Sequence, residues 1–240
     1  MAHRAFSIAN AMFAGFAASS AALAAPPPTR DAMQSEIRRA WEDAAGTWER
    51  ILGPRVYASE IPQINFVEAV RPSHCYGLYV NAGPVYCSGN NTVFVSIDEM
   101  ERLSVRFGGA DPAGLAFLVA HELGHHVQKI LGRFRLIARL AKEQPERVRE
   151  LTLRFELEAD CLAGVWAGNS SAFAANASVR HNMFAVIDAI GDDRIVLPSG
   201  AAPDPATFTH GASAQRQKWY RTGLDAGDVA ACNVLEAATF

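Results

Sequence analysis

The chain has 240 residues, half of them hydrophobic and a fifth charged, with a formal net charge of -3. That balance supports a folded core and argues against a nucleic-acid partner, which would call for clustered Lys and Arg. No internal repeat and no convincing linker appears, so a single domain is the best count.

Met1 to Ala25 begins with His3-Arg4, continues as an uncharged Ala- and Phe-rich run and ends in Ala22-Leu23-Ala24. A basic start, an apolar middle and a small-x-small site make a secretory signal peptide, cleaved after Ala24. The run is short and no charged stop-transfer segment follows closely, which disfavours the alternative of a retained membrane anchor. The predicted organisation is a signal over 1–24 and one domain over 25–240, about 215 residues, with no stable membrane span after cleavage. The predicted compartment is the periplasm or beyond. Pro26-Pro27-Pro28 reads as a short stiff tether.

From Thr29 to Leu52, Met33, Ile37, Trp41, Ala44, Trp48 and Leu52 recur at spacings of three and four, which predicts an amphipathic helix. Gln63–Ala69 and Thr92–Ile97 read as strands, with Tyr76–Tyr86 between them as a Gly- and Pro-punctuated hairpin or loop.

An apolar segment then opens at Asp111-Pro112 and stops at Gly132, with a helix cap, a first-turn proline and a terminating glycine. Leu115, Leu118, Val119, Leu123, Val127 and Ile130 form its buried stripe. Within it lies Ala120-His121-Glu122-Leu123-Gly124-His125-His126-Val127-Gln128. His121 and His125, four apart, project from one helical face, so both imidazoles can meet one Zn²⁺. Glu122 beside them can serve as the general base of a metallohydrolase. His126 lies about 100° further round the helix and reads as a core histidine.

After the basic link Arg133 to Lys142, Pro145 opens a second helix carrying Phe155-Glu156-Leu157-Glu158-Ala159-Asp160-Cys161. Glu156 and Asp160 share a face, so Glu156 can complete a three-ligand site while Asp160 accepts the N–H of a ligating histidine. Glu158 points elsewhere. A solvated acidic face is the competing reading, against which stand the apolar neighbours Leu153, Leu157, Leu162, Val165 and Trp166. Further helices are predicted over about Ser178–Ile190 and Ala212–Asp225, separated by a long loop, Gly191 to Thr209. Asp192-Asp193 in that loop read as a turn and helix-cap pair, and Arg216 as a structural ion-pair partner. His210, just before the last helix, is the candidate side-chain donor to a developing oxyanion, with helix bracing as the alternative.

Four cysteines are consistent with export. Of the three possible connectivities, Cys75–Cys87 closes the hairpin region locally and leaves Cys161 to tether the tail through Cys232. A thiolate zinc site is disfavoured because no close Cys-x-x-Cys spacing occurs.

Taken together, the histidine motif, Glu156 to Ala167, Ile190-Gly191-Asp192-Asp193 and Phe208-Thr209-His210-Gly211-Ala212-Ser213-Ala214-Gln215-Arg216 resemble the neutral zinc metallopeptidases of bacteria. The resemblance runs from about Arg30 to Asn233 and implies a gluzincin-like site. That family often carries an N-terminal membrane anchor, where this chain has what reads as a removable signal. The resemblance and proximity to the histidine helix place Thr92–Ser96 beside the active site, either as an exposed edge that takes up a peptide or as a plain core strand.

The sequence therefore predicts a mostly helical α+β, zincin-like domain with a small sheet beside the histidine helix. The predicted activity is hydrolysis of peptide bonds in a peptide or protein substrate with one Zn²⁺. His121, His125 and Glu156 hold the ion, Asp160 supports a ligand, and Glu122 and His210 act on the substrate. A zinc amidohydrolase acting on cell-wall or other amides would use the same residues. A zinc-stabilised binding protein would not need Glu122.

Overall fold

A computed structural model describes residues 29–57, 60–75, 83–106, 112–174, 176–194 and 203–238. The predicted signal and proline tether, Asp111, Tyr76 to Ala82 and part of the predicted long loop lie outside them.

Helix α1, Arg30–Leu52, starts where the Thr29 hydroxyl accepts the Ala32 N–H at 3.3 Å, a side-chain cap typically worth about 1 kcal/mol. It buries Met33, Ile37, Ala40, Trp41, Ala44 and Trp48, so both tryptophans are core. Gly53, at φ 84°, breaks the helix before the short α2, Pro54–Tyr57.

Three strands follow: β1 Gln63–Val67, β2 Val85–Cys87 and β3 Thr92–Ser96. Their order is β1-β3-β2, with β1 parallel and β2 antiparallel to β3. All five residues of β3 are buried, as a continuous β-branched and aromatic run requires of a strand covered on both faces. The exposed-edge reading of Thr92–Ser96 is thus corrected: β3 is the central strand, and β1 and β2 are the edges among the described residues.

Helix α3, Ile97–Arg106, takes over where the second strand was expected to end, and the Ser96 hydroxyl accepts the Glu99 N–H at 3.3 Å. Helix α4, Pro112–Ile130, carries the histidine motif and ends at Gly132 in the left-handed region, φ 74°. The supposed basic link is itself a helix, α5, Arg133–Glu143. Its good helix formers, with Phe134, Ile137 and Ala141 on one side, explain the difference. Next come α6 Val148–Asn169, α7 Ser171–Ala174, α8 Ala177–Ala189 and α9 Ser213–Ala226.

Helix α6 is the axis of the molecule, with fourteen residues buried from Leu151 to Ala167. It meets α9 at glycines. A methyl group at Gly164 would lie 2.0 Å from the Tyr220 carbonyl oxygen, and one at Gly223 would lie 1.9 Å from that of Cys161. Only hydrogen at these positions permits so close a crossing. Helix α1 packs on both α4 and α6, and Trp166 Nε1 donates to Asp43 Oδ2 at 2.7 Å across the α1–α6 contact.

Disulfides join Cys75 to Cys87 and Cys161 to Cys232, with Cα atoms 5.4 and 5.5 Å apart. By loop-closure entropy they contribute about 3 and about 4 kcal/mol respectively. No helix among the described residues is long and apolar enough to cross a membrane.

Candidate metal centre

The crossing of α4 over α6 puts the expected residues together. A methyl at Gly124 would fall 2.8 Å from the Ala159 carbonyl oxygen, so the missing side chain lets α4 lie directly on α6. His121 and His125 on α4 then face Glu156 on α6. Each histidine places Nε2 3.2 Å from the same atom, Glu156 Oε2. His210 also reaches that oxygen, with Nε2 at 3.7 Å. Donor atoms of His121, Glu156 and His210 all lie within 4.8 Å of one another.

The far nitrogen of each imidazole on α4 is already engaged. His121 Nδ1 meets Asp160 Oδ1 at 2.7 Å, and His125 Nδ1 meets Gln128 Oε1 at 2.8 Å. Asp160 is fully buried and takes two charge-assisted bonds from Arg216, Nε to Oδ2 and Nη2 to Oδ1, both 2.8 Å. Acceptors at both Nδ1 atoms leave both Nε2 atoms facing Glu156 Oε2, while the group whose donor atoms all lie within 4.8 Å contains His210 in place of His125. Two nitrogen donors and one oxygen donor with fixed tautomers are a donor set that fits zinc.

The electrostatics follow from this crowding. Burial opposes the charge on His121, but its hydrogen bonds to Asp160 and Glu156 outweigh that and raise its pKa from the ordinary 6.5 to about 10. His125 is likewise raised against burial by Glu156, and Glu156 itself is held well below the usual carboxylate range by the imidazoles. Glu122 goes the other way: burial and the nearby Glu156 push its carboxyl up, opposed by the two histidines. A carboxylate of raised basicity is suited to receiving a proton near neutral pH. The backbone N–H of Tyr86, on β2, donates to Glu122 Oε2 at 2.7 Å and fixes its direction.

His210 is delivered by a turn. Asp192 Oδ2 accepts the consecutive N–H groups of Thr209, His210 and Gly211 at 2.7, 2.7 and 2.9 Å. Gly211 sits at φ 103°, which side chains rarely tolerate. Asp193 binds the N–H and hydroxyl of Ser213 at the start of α9, at 2.6 and 2.9 Å.

A family model described as "Putative neutral zinc metallopeptidase" matches residues 8–235. The chain belongs to that family. Its relatives include the uncharacterized protein YpfJ of Escherichia coli K12, 36% identical over 156 residues, which are 64% of this chain and 54% of that protein. The uncharacterized protein Rv2575 of Mycobacterium tuberculosis is 34% identical over 168 residues, 65% of this chain and 56% of that protein. The chain therefore spans about half the length of the curated relatives it matches. No solved structure matches it.

Several residues around this cluster escaped the sequence reading. Glu158 lies outside the donor cluster, as expected, but reaches it through Gln128: it is 1% exposed, with Oε2 on Gln128 Nε2 at 2.9 Å and Oε1 3.0 Å from Arg133 Nε. Gln128, one turn beyond His125, carried a legible signal, because a residue three positions on shares a helical face. Tyr86 had none, since it acts through its backbone. His126 is fully buried, with Nδ1 3.0 Å from the Tyr86 hydroxyl, as a core histidine should be.

Proposed function

We propose that the chain is a zinc peptidase holding one Zn²⁺ on His121, His125 and Glu156. The observation that carries this reading is the convergence of two Nε2 atoms on Glu156 Oε2, each Nδ1 already bound to an acceptor, with Glu122 alongside. Lewis acidity that polarises a carbonyl and makes water nucleophilic near neutral pH is what the ion supplies there.

The chain's own groups do the rest. Glu122 takes a proton from the attacking water and passes it to the leaving amine, its carboxylate steered by the Tyr86 N–H. His210 donates a hydrogen bond to the oxygen on which negative charge grows. Asp160, backed by Arg216, keeps His121 in the tautomer that offers Nε2. A peptide substrate held by strand addition pairs with β2, the edge nearest Glu122. Two disulfides favour an oxidising, extracytoplasmic compartment.

The test is hydrolysis of an unfolded protein by the zinc-loaded chain. Glu122→Gln keeps the metal and lowers kcat by about a hundred-fold to ten-thousand-fold, the usual worth of acid–base catalysis. Near-normal turnover in that variant would remove Glu122 from its role. His210→Ala lowers kcat about a hundred-fold to a thousand-fold with zinc content unchanged.

A further inference from the structure

Gln128 is fully buried and makes three contacts. Its Oε1 faces His125 Nδ1 at 2.8 Å, while its Nε2 donates to the Phe155 carbonyl at 2.7 Å and to Glu158 Oε2 at 2.9 Å. A side-chain amide can in principle be reversed, exchanging donor for acceptor. Reversal here would set Oε1 against a main-chain carbonyl and a carboxylate oxygen, leaving buried acceptors facing one another without a proton. The Phe155 carbonyl can only accept, so it alone fixes the orientation, and Glu158 reinforces it.

The consequence reaches the metal cradle. Since Oε1 cannot donate, His125 must carry its neutral-state proton on Nδ1 and present the Nε2 lone pair toward Glu156. With the amide reversed, the ring would accept at Nδ1 and hold its proton on Nε2, the nitrogen required for coordination. His121 needs no such device, because its partner Asp160 has no reversible amide. Arg133 in turn braces Glu158 through the contact to Oε1.

We propose that Gln128, locked by Phe155 and Glu158, is a positioning residue that sets the tautomer of His125 and thereby the zinc affinity of the centre. The inference rests on the reading of His125 as a ligand, and Gln128 acts through that histidine without touching substrate.

The experiment measures zinc affinity by competition with a chromogenic chelator, and the melting temperature of each metal-free protein. Gln128→Met keeps the bulk and removes the acceptor. It should bind zinc about ten- to a hundred-fold more weakly than wild type, the usual effect of losing a ligand's supporting partner, and its metal-free fold should melt lower, because the buried Phe155 carbonyl and Glu158 carboxylate lose their donor. Gln128→Glu alone sets two carboxylates together and also weakens binding. Combined with Glu158→Gln it should recover part of the affinity, because the amide introduced at 158 donates to the carboxylate introduced at 128, while the Phe155 carbonyl still faces an acceptor. A purely packing role would predict no such rescue. Wild-type affinity in Gln128→Met, or a double variant no tighter than Gln128→Glu, would overturn the lock. Absence of zinc binding by the wild-type chain would instead bring down the ligand reading beneath it.

Discussion

At the scale of residues, the centre is a contest between burial and charge. Burial disfavours charge on both imidazoles, yet the carboxylates around them prevail, and His121 stands at about 10. A ligating imidazole must be neutral, so zinc has to displace the proton that the metal-free site retains. On the proposed ligand set, zinc affinity should therefore rise as the pH climbs toward about 10. Calorimetry in buffers of different ionisation enthalpy at neutral pH should find at least about one proton released per ion bound, and zero release would contradict the assignment of His121. In the metal-free protein the sign is fixed too. The raised imidazole stabilises the fold fully below its ordinary value of 6.5, and that contribution is lost as the pH climbs through about 10. Much of this centre was legible in the sequence, because His121 with His125, and Glu156 with Asp160, obey the four-residue helical repeat. Gln128 and Glu158 were harder: their meaning depends on which helix lies opposite, which no local pattern states.

At the scale of elements, the centre exists because two helices touch. Gly124 is the point of contact, and a methyl there would also lie 3.2 Å from the Ala159 Cα. On an isolated exposed helix, replacing glycine by alanine stabilises by about 1 kcal/mol. Here the added carbon must push α4 away from α6, a kind of overpacking that costs about 1 to 3 kcal/mol, and separate the histidines from Glu156. Gly124→Ala should accordingly lower stability in denaturant titration and weaken zinc binding together. A gain in stability with unchanged affinity would show that α4 and α6 are not in contact at that point. The sheet taught a related lesson. Alternation revealed β1 and a β-branched and aromatic run revealed β3, but not that β3 would be paired on both sides, since the three-residue β2 is too short to show a period of its own. Helix α3 was missed because the predicted strand ended at Ile97 with no element assigned after it, and α5 because a charged link seemed a sufficient description of a short, amphipathic stretch.

At the scale of the whole molecule, α6 does two jobs at once. Its face toward α4 bears Glu156 and Asp160. Its glycine-lined face meets α9, which sends Arg216 back to Asp160. The tail is fastened to the same helix by Cys161–Cys232, and by Arg154, whose Nη1 donates to the Val234 and Ala237 carbonyls at 2.8 and 2.7 Å. The turn bearing His210, pinned by Asp192, enters from the opposite end of the long loop. Every element that supplies a proposed ligand is thus anchored to the core that stabilises the fold, which is the arrangement a preorganised metal site needs. The most direct test is the zinc content of the purified chain, measured for wild type and for Glu156→Gln after dialysis against the same buffered zinc concentration. The account predicts one equivalent in the wild type and a dissociation constant at least about ten-fold higher in the variant, whose neutral amide replaces the carboxylate on which both histidines converge. A wild type that binds no zinc, or a variant that binds it equally well, would contradict it.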